Sequence, residues 1–245
     1  MFRLPVSREE ITVRRPGGAE DMLLLEAREL DRAFALGLVA KLTDPPQSAD
    51  ISVHDFEAVL LHLHSLVFGK TIAAEASCRC GQQVDITFPT AAFLAHRKPR
   101  RPRGVVAAGD GWFAPRDGGG RFRLPTVGDQ IAASGQDDPA AALAQACMRE
   151  CADPLRTERA MAAMAPALSG EVEGSCPHCN GKITGHFDVV SFVLGELRVQ
   201  ASLICEHVHA LASHYHWTEE KILALPNWRR QHYVDIVAGE REGIA

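Results

Sequence analysis

The chain has 245 residues, 46% hydrophobic and 23% charged, with a formal net charge of −5. That length supports one sizeable core or two small ones without a disulfide framework. The acidic balance argues against general affinity for nucleic acid or an anionic membrane surface, which require a basic surplus. No run of 18 apolar residues is present to span a bilayer, and the early charges of MFRLPVSREE do not resemble a secretory signal. The expectation is a protein made and kept in the cytoplasm. In a reducing compartment seven cysteines, an odd number, read better as metal ligands than as a disulfide scaffold.

In chain order, Glu10–Arg15 alternates and reads as a strand, followed by Pro16-Gly17-Gly18 as punctuation. Leu23, Leu24, Leu30, Phe34, Leu38 and Val39 recur at helical spacing, predicting one helix over Ala19–Leu42 that ends at Asp44-Pro45-Pro46. Ser52 is a candidate N-cap for a helix over Val53–Phe68, with acidic Asp55 and Glu57 near its start and Gly69 closing it. Residues Ile72–Phe88 read as two short strands joined at Cys78-Arg79-Cys80-Gly81. Arg97–Arg103 sets five basic residues among prolines, which suits an exposed linker or arm. Short strands at Gly104–Ala107 and Phe122–Leu124 flank a Gly-rich turn at Asp117–Gly120. An Ala-rich region to about Leu168 then reads as two or three helices. Ser175-Cys176-Pro177-His178-Cys179-Asn180-Gly181, followed by a strand over Lys182–Phe187, looks like a second copy of the first cysteine hairpin. A long helix is predicted over about Val190–His214. Thr218 should cap a short one over Glu219–Leu225, and Pro226 should open a last one to about Val237.

Cys78, Cys80, Cys176 and Cys179 are the sharpest constellation. Two hairpins that each present a pair of thiolates can meet around one tetrahedral zinc, and four sulfur ligands leave no open position for a catalytic water. A reversible disulfide switch and cysteines that merely pack are the alternatives. Cys147 and Cys151, four apart, are expected on one buried helical face, and Cys205 in a helical core. The histidines (His62, His64, and His207, His209, His214 and His216 near one helix end) form no HExxH pair, and no phosphate loop, nucleophile elbow or acid–base pair is evident. The reading is therefore non-enzymatic, with no small-molecule substrate.

The string Glu206-x-x-His209-Ala210-Leu211-Ala212-x-x-Tyr215-His216-Trp217-Thr218-Glu219-x-x-Ile222-Leu223-Ala224-Leu225-Pro226-x-x-x-Arg230-x-x-Tyr233 resembles the baseplate hub assembly chaperones of phage T4-like contractile tails and related contractile injection systems. Leu66-Val67-Phe68-Gly69-Lys70 ahead of the first cysteine pair, and Phe122-Arg123-Leu124-Pro125-Thr126 opening the middle helical region, fit the same layout. One departure is Cys78-Arg79-Cys80, where the family pattern implies two intervening residues. The resemblance implies binding of baseplate, hub or spike proteins in the bacterial cytoplasm, with or without retention in the finished particle.

Tyr215, His216, Trp217, Ile222, Leu225, Pro226, Trp228, Arg230 and Tyr233 are the candidate partner-binding residues, since large aromatic groups on short helices suit an interface. Packing back on the long helix is the alternative. The expected fold is α+β: mainly helical, with two zinc-knuckle-like hairpins sharing one four-cysteine site and a helical C-terminal tail. Residues 1–71 would form an N-terminal strand and helices, 72–189 a zinc-knuckle module with an inserted mainly helical region at about 97–170, and 190–245 a C-terminal helical partner-binding region. The functional expectation is an assembly chaperone or minor baseplate factor. A redox-regulated zinc holdase and a nucleic-acid-binding zinc protein using Arg97–Arg103 are the competing readings.

Overall fold

Ile11 alternates with exposed neighbours in a short strand, and this pattern seeds the first element of a mixed helix-and-sheet fold. The computed structural model describes residues 1–242. Strands β1 (Phe2–Arg3), β2 (Glu10–Val13) and β3 (Thr43–Asp44) form a three-stranded antiparallel sheet, with helices α1 (Gly18–Glu26) and α2 (Arg32–Leu42) between β2 and β3. The single helix expected over Ala19–Leu42 is thus broken. Ala27 turns extended, and Asp31 restarts the chain by accepting the Phe34 N–H at 2.8 Å. An Asp side chain that satisfies a free first-turn donor favours a new helix start over continuation.

Helix α3 (Val53–Phe68) has the predicted bounds, with Ser52 Oγ accepting the Asp55 N–H at 3.1 Å and Gly69 at its end. It is buried around most of its circumference. Phe56, Leu60, Leu61 and Leu63 are fully enclosed in a core cluster shared with residues of α1, α2 and the later helix Val189–Ala201, each contributing roughly 1.5–3 kcal/mol by burial. The polar residues of its first turns are staples. Asp55 accepts the N–H groups of Val6 (2.7 Å) and Ser7 (2.9 Å), and Glu57 accepts from the backbone of Leu168 and Ser169 (3.2 Å each) and from Ser169 Oγ (2.9 Å).

Beyond α3 the chain forms the hairpin β4 (Thr71–Ser77)–β5 (Gln83–Pro89) and helix α4 (Thr90–His96). Strands β6 (Val105–Gly109), β7 (Trp112–Pro115) and β8 (Arg121–Arg123), helices α5 (Val127–Ser134) and α6 (Pro139–Cys147), strand β9 (Met148–Arg149) and helix α7 (Pro154–Met164) follow. β6–β9 make a four-stranded antiparallel sheet in sequence order. This region is tied to the main core where Ser52 bridges Thr126 and Val127 is buried. Arg97–Arg103 is not a free arm: Arg97 Nη1 donates to the Ala167 carbonyl (2.9 Å), and the Arg100 N–H donates to that of Ala163 (2.7 Å).

The second hairpin, β10 (Gly170–Ser175)–β11 (Lys182–Phe187), leads into α8 (Val189–Ala201), α9 (Ile204–Tyr215), α10 (Glu219–Leu223) and α11 (Asn227–Glu242). The long helix expected over Val190–His214 is two. Ser202 bonds back to the Val199 carbonyl through both its hydroxyl (2.7 Å) and its N–H (3.2 Å), a tightened turn that competes with helix continuation. The break directs α8 into the main core and α9 into a separate cluster of Leu211, Ile222 and Val237. Two cysteine expectations are corrected here. Cys147 is buried at the end of α6 while Cys151 lies beyond β9, so they share no helix, and Cys205 is exposed at the start of α9 because the turn at Ser202 rotates it out of the core.

Candidate metal centre and C-terminal surface

The two cysteine turns are built alike. In the first, the Cys78 N–H donates to the Gln82 carbonyl and the Gly81 N–H to the Cys78 carbonyl, both at 2.9 Å. In the second, the Cys176 N–H donates to the Gly181 carbonyl and the Asn180 N–H to the Cys176 carbonyl, again at 2.9 Å. In each turn the residue after the second cysteine is left-handed, Gly81 at φ +87° and Asn180 at φ +56°, conformations that glycine and asparagine tolerate. The first turn is therefore the second with one residue removed between the cysteines. That shortening leaves the placement of its sulfurs intact.

Sγ of Cys78 lies 3.6 Å from Sγ of Cys179, Sγ of Cys80 lies 3.8 Å from Sγ of Cys176, and all four are within 4.8 Å of one another. These separations far exceed an S–S bond of about 2.05 Å, and all seven cysteines are free thiols. Cys78 and Cys176 are buried with Val84 and Ile183, whereas Cys80 and Cys179 reach the surface. Burial pushes the Cys176 thiol up, but hydrogen bonds to its sulfur from the backbone of Cys179 and His178 and from neighbouring thiols outweigh it and bring it down to about 6. At Cys78 the Cys80 backbone N–H favours the thiolate, yet burial and the thiol's own donation to Cys80 and Cys176 leave its pKa raised. One ready thiolate among neighbouring thiols is an arrangement that a cation can complete by displacing the remaining protons.

The hairpins also meet at their bases. Phe88 and Phe187 stand eight residues after Cys80 and Cys179, and Phe93 and Phe192 five residues further on. Phe187 contacts Phe88 (6.0 Å), Phe93 (5.7 Å) and Phe192 (5.3 Å), so the duplicated units join through equivalent aromatic positions. This Phe spacing is visible in the sequence and extends the repeat beyond the cysteines.

In the C-terminal segment Tyr215 stacks on Trp217 at 4.8 Å, Trp217 meets Tyr233 edge-on at 5.3 Å, and Ile222 is buried. His216 ends α9 in a left-handed conformation, and its N–H donates to the Ala212 carbonyl. Thr218 precedes α10 without a side-chain capping bond. Leu225 is half-buried, and the Pro226 carbonyl accepts the N–H groups of Arg229 and Arg230 at the start of α11. Arg230 is turned inward, 1% exposed, and Nη2 meets Asp21 Oδ2 at 2.7 Å, linking α11 to α1. Asp21 carries a raised pKa because burial outweighs the arginine's pull.

Trp228 alone among the candidate aromatic residues is largely exposed, at 67%. It edges a cleft of about 340 Å³ lined also by Val67, Leu203, Arg15, Asp21 and His207. His207 is buried and its Nδ1 has no hydrogen-bond partner among the described residues. Burial first, and the Arg230 charge second, lower its pKa. Among the described residues no helix is long and apolar enough to cross a membrane. No family model, curated protein or solved structure matches the chain.

Proposed function

We propose that the chain is a zinc-stapled, non-enzymatic assembly chaperone or minor baseplate factor that binds hub or spike proteins of a phage-like contractile particle in the bacterial cytoplasm. The four-sulfur cluster carries the zinc part of this reading. A tetrahedron with Zn–S bonds of about 2.3 Å has S···S edges of about 3.8 Å, close to the 3.6 and 3.8 Å of the two sulfur contacts. Four soft thiolate donors in this geometry suit zinc, and the two turns act as knuckles that fill every position with protein. Such a shell crosslinks and leaves no site for water activation.

The assembly part rests on the C-terminal string and on Trp228, an exposed indole beside a cleft on a tail whose other aromatic residues are packed together. Trp is a frequent anchor of protein interfaces. Affinity purification of the tagged chain from its host, followed by mass spectrometry, should recover hub, spike or baseplate proteins, and Trp228→Ala should lose them without loss of fold. Recovery of no particle protein would overturn the assembly reading while leaving the zinc site to elemental analysis.

Exposure of Cys80 and Cys179 favours one second reading. Peroxide at these sulfurs would withdraw two electrons per disulfide formed, release zinc and loosen both turns, as in a redox-regulated holdase. Peroxide-dependent suppression of client aggregation is the separating assay.

A further inference from the structure

The inserted region has an electrostatic character opposite to that of the chain. Residues 97–170 carry 11 Lys and Arg against 8 Asp and Glu, while the whole chain carries 26 against 31. Within the inserted region, the segment from Arg97 to Arg103 is pinned along the end of α7 and beside β7. Arg101 lies over the Phe113 ring at 5.3 Å, and Arg97 and Arg100 hold the α7–β10 connection and the end of α7 by hydrogen bonds.

Between this strap, the sheet and α7 is a cleft of about 210 Å³. Its lining brings together Val105, Pro115, Ala160 and the buried Phe122 with three arginines, Arg103, Arg156 and Arg159. Arg156 is already paired with Asp117 at 2.8 Å. Arg103 and Arg159 are exposed, and among the described residues neither side chain has a hydrogen bond or ion pair. Two uncommitted planar cations beside an apolar depression, on an otherwise acidic chain, are complementary to carboxylates flanking an apolar side chain.

The aromatic rings decide against nucleic acid as the occupant. Trp112 is covered by Arg121 (5.1 Å) and Arg149 (5.6 Å), Phe113 by Arg101, and Phe122 is buried. Among the described residues the one aromatic side chain lining the cleft is Phe122, which is buried, so the cleft presents no ring for base stacking, the usual anchor for single strands. We propose that this cleft docks an acidic segment of a partner protein, seating one apolar side chain on Val105, Pro115 and Ala160 and its flanking carboxylates on Arg103 and Arg159. The surface is separate from the Trp228 cleft and does not depend on the assembly reading.

Fluorescence anisotropy of the full chain with a labelled peptide EEELEEE tests this, using EEEEEEE and a single-stranded 20-nucleotide DNA as comparison probes. The leucine peptide should bind at about 50 mM salt and weaken as salt screens the pairs. The all-glutamate peptide and the double variant Arg103→Glu with Arg159→Glu should each lose at least about tenfold in affinity. Both arginines are exposed and unpaired, so the variant should keep the parent's circular dichroism and melting temperature. Ala160→Glu, which sets a negative charge in the lining, should weaken binding to a similar degree. Absence of peptide binding, equal binding by either variant or by the all-glutamate peptide, or tighter binding of the DNA would each overturn the proposal.

Discussion

Stripping the proposed zinc from the four-cysteine site should loosen the molecule from the hairpin tips inward and lower its global stability by a calculable amount. Cys78 and Cys179 are separated by 101 positions. Crosslinking a loop of that length removes about 4.7 kcal/mol of conformational freedom from the unfolded chain in the chain-entropy treatment. A ligand held a thousandfold above its dissociation constant stabilises by about 4.1 kcal/mol, a similar scale by an independent route. At roughly 2–4 °C per kcal/mol for a chain of this size, chelation should lower the melting temperature by roughly 10–20 °C. The tips have little else to hold them, since their buried cluster is Cys78, Val84, Cys176 and Ile183, whereas the main core lies around α3 and α8. Hydrogen exchange should therefore accelerate at the Cys78, Gly81, Cys176 and Asn180 amides while α3 stays protected. Cys179→Ser should reproduce the effect, because its side chain is exposed and its loss adds little packing penalty. A stripped protein that melts within about 2 °C of the parent, with unchanged exchange at these amides, would refute the crosslinking role.

Arg230→Met should destabilise by about 3–5 kcal/mol in denaturant unfolding, because it leaves buried Asp21 without its partner; a change below about 1 kcal/mol would show that the pair is dispensable. Gly18→Ala should cost about 1–3 kcal/mol, since a Cβ there would lie 2.7 Å from the Leu223 backbone and 2.8 Å from Arg230 Nη1. Burial lowers the pKa of His64 against the opposing pull of Glu196, and burial followed by the Arg230 charge lowers that of His207. In the unfolded chain both take up protons near the ordinary histidine pKa of about 6.5, before the folded state does, so stability should be full above that value and fall as pH drops toward the folded pKa values. At fixed free zinc, His207→Asn should make the decline in unfolding free energy between about pH 7 and 5 shallower, and parallel declines would contradict this.

Helix α3 was legible because all of its signals are local: a Ser cap, an apolar run and a closing glycine. The cysteine turns were legible for the same reason, as each is a few residues with a left-handed position after its second cysteine. The breaks after α1 and α8 were missed because apolar spacing continues across both and only tertiary packing shows that the two halves face different neighbours. Asp55 and Glu57 read locally as helix-dipole residues, yet they bind backbone at Val6 and Ser7, and at Leu168 and Ser169. The C-terminal string leaves the orientation of its residues open: Arg230 is turned inward to Asp21, 209 positions away, while Trp228, two residues earlier, faces solvent. The sequence by itself determined short-range geometry, including the paired turns that present four thiols. The tertiary structure alone decided which distant segments those turns and charges meet, because burial rewards groups brought together by packing irrespective of their separation along the chain.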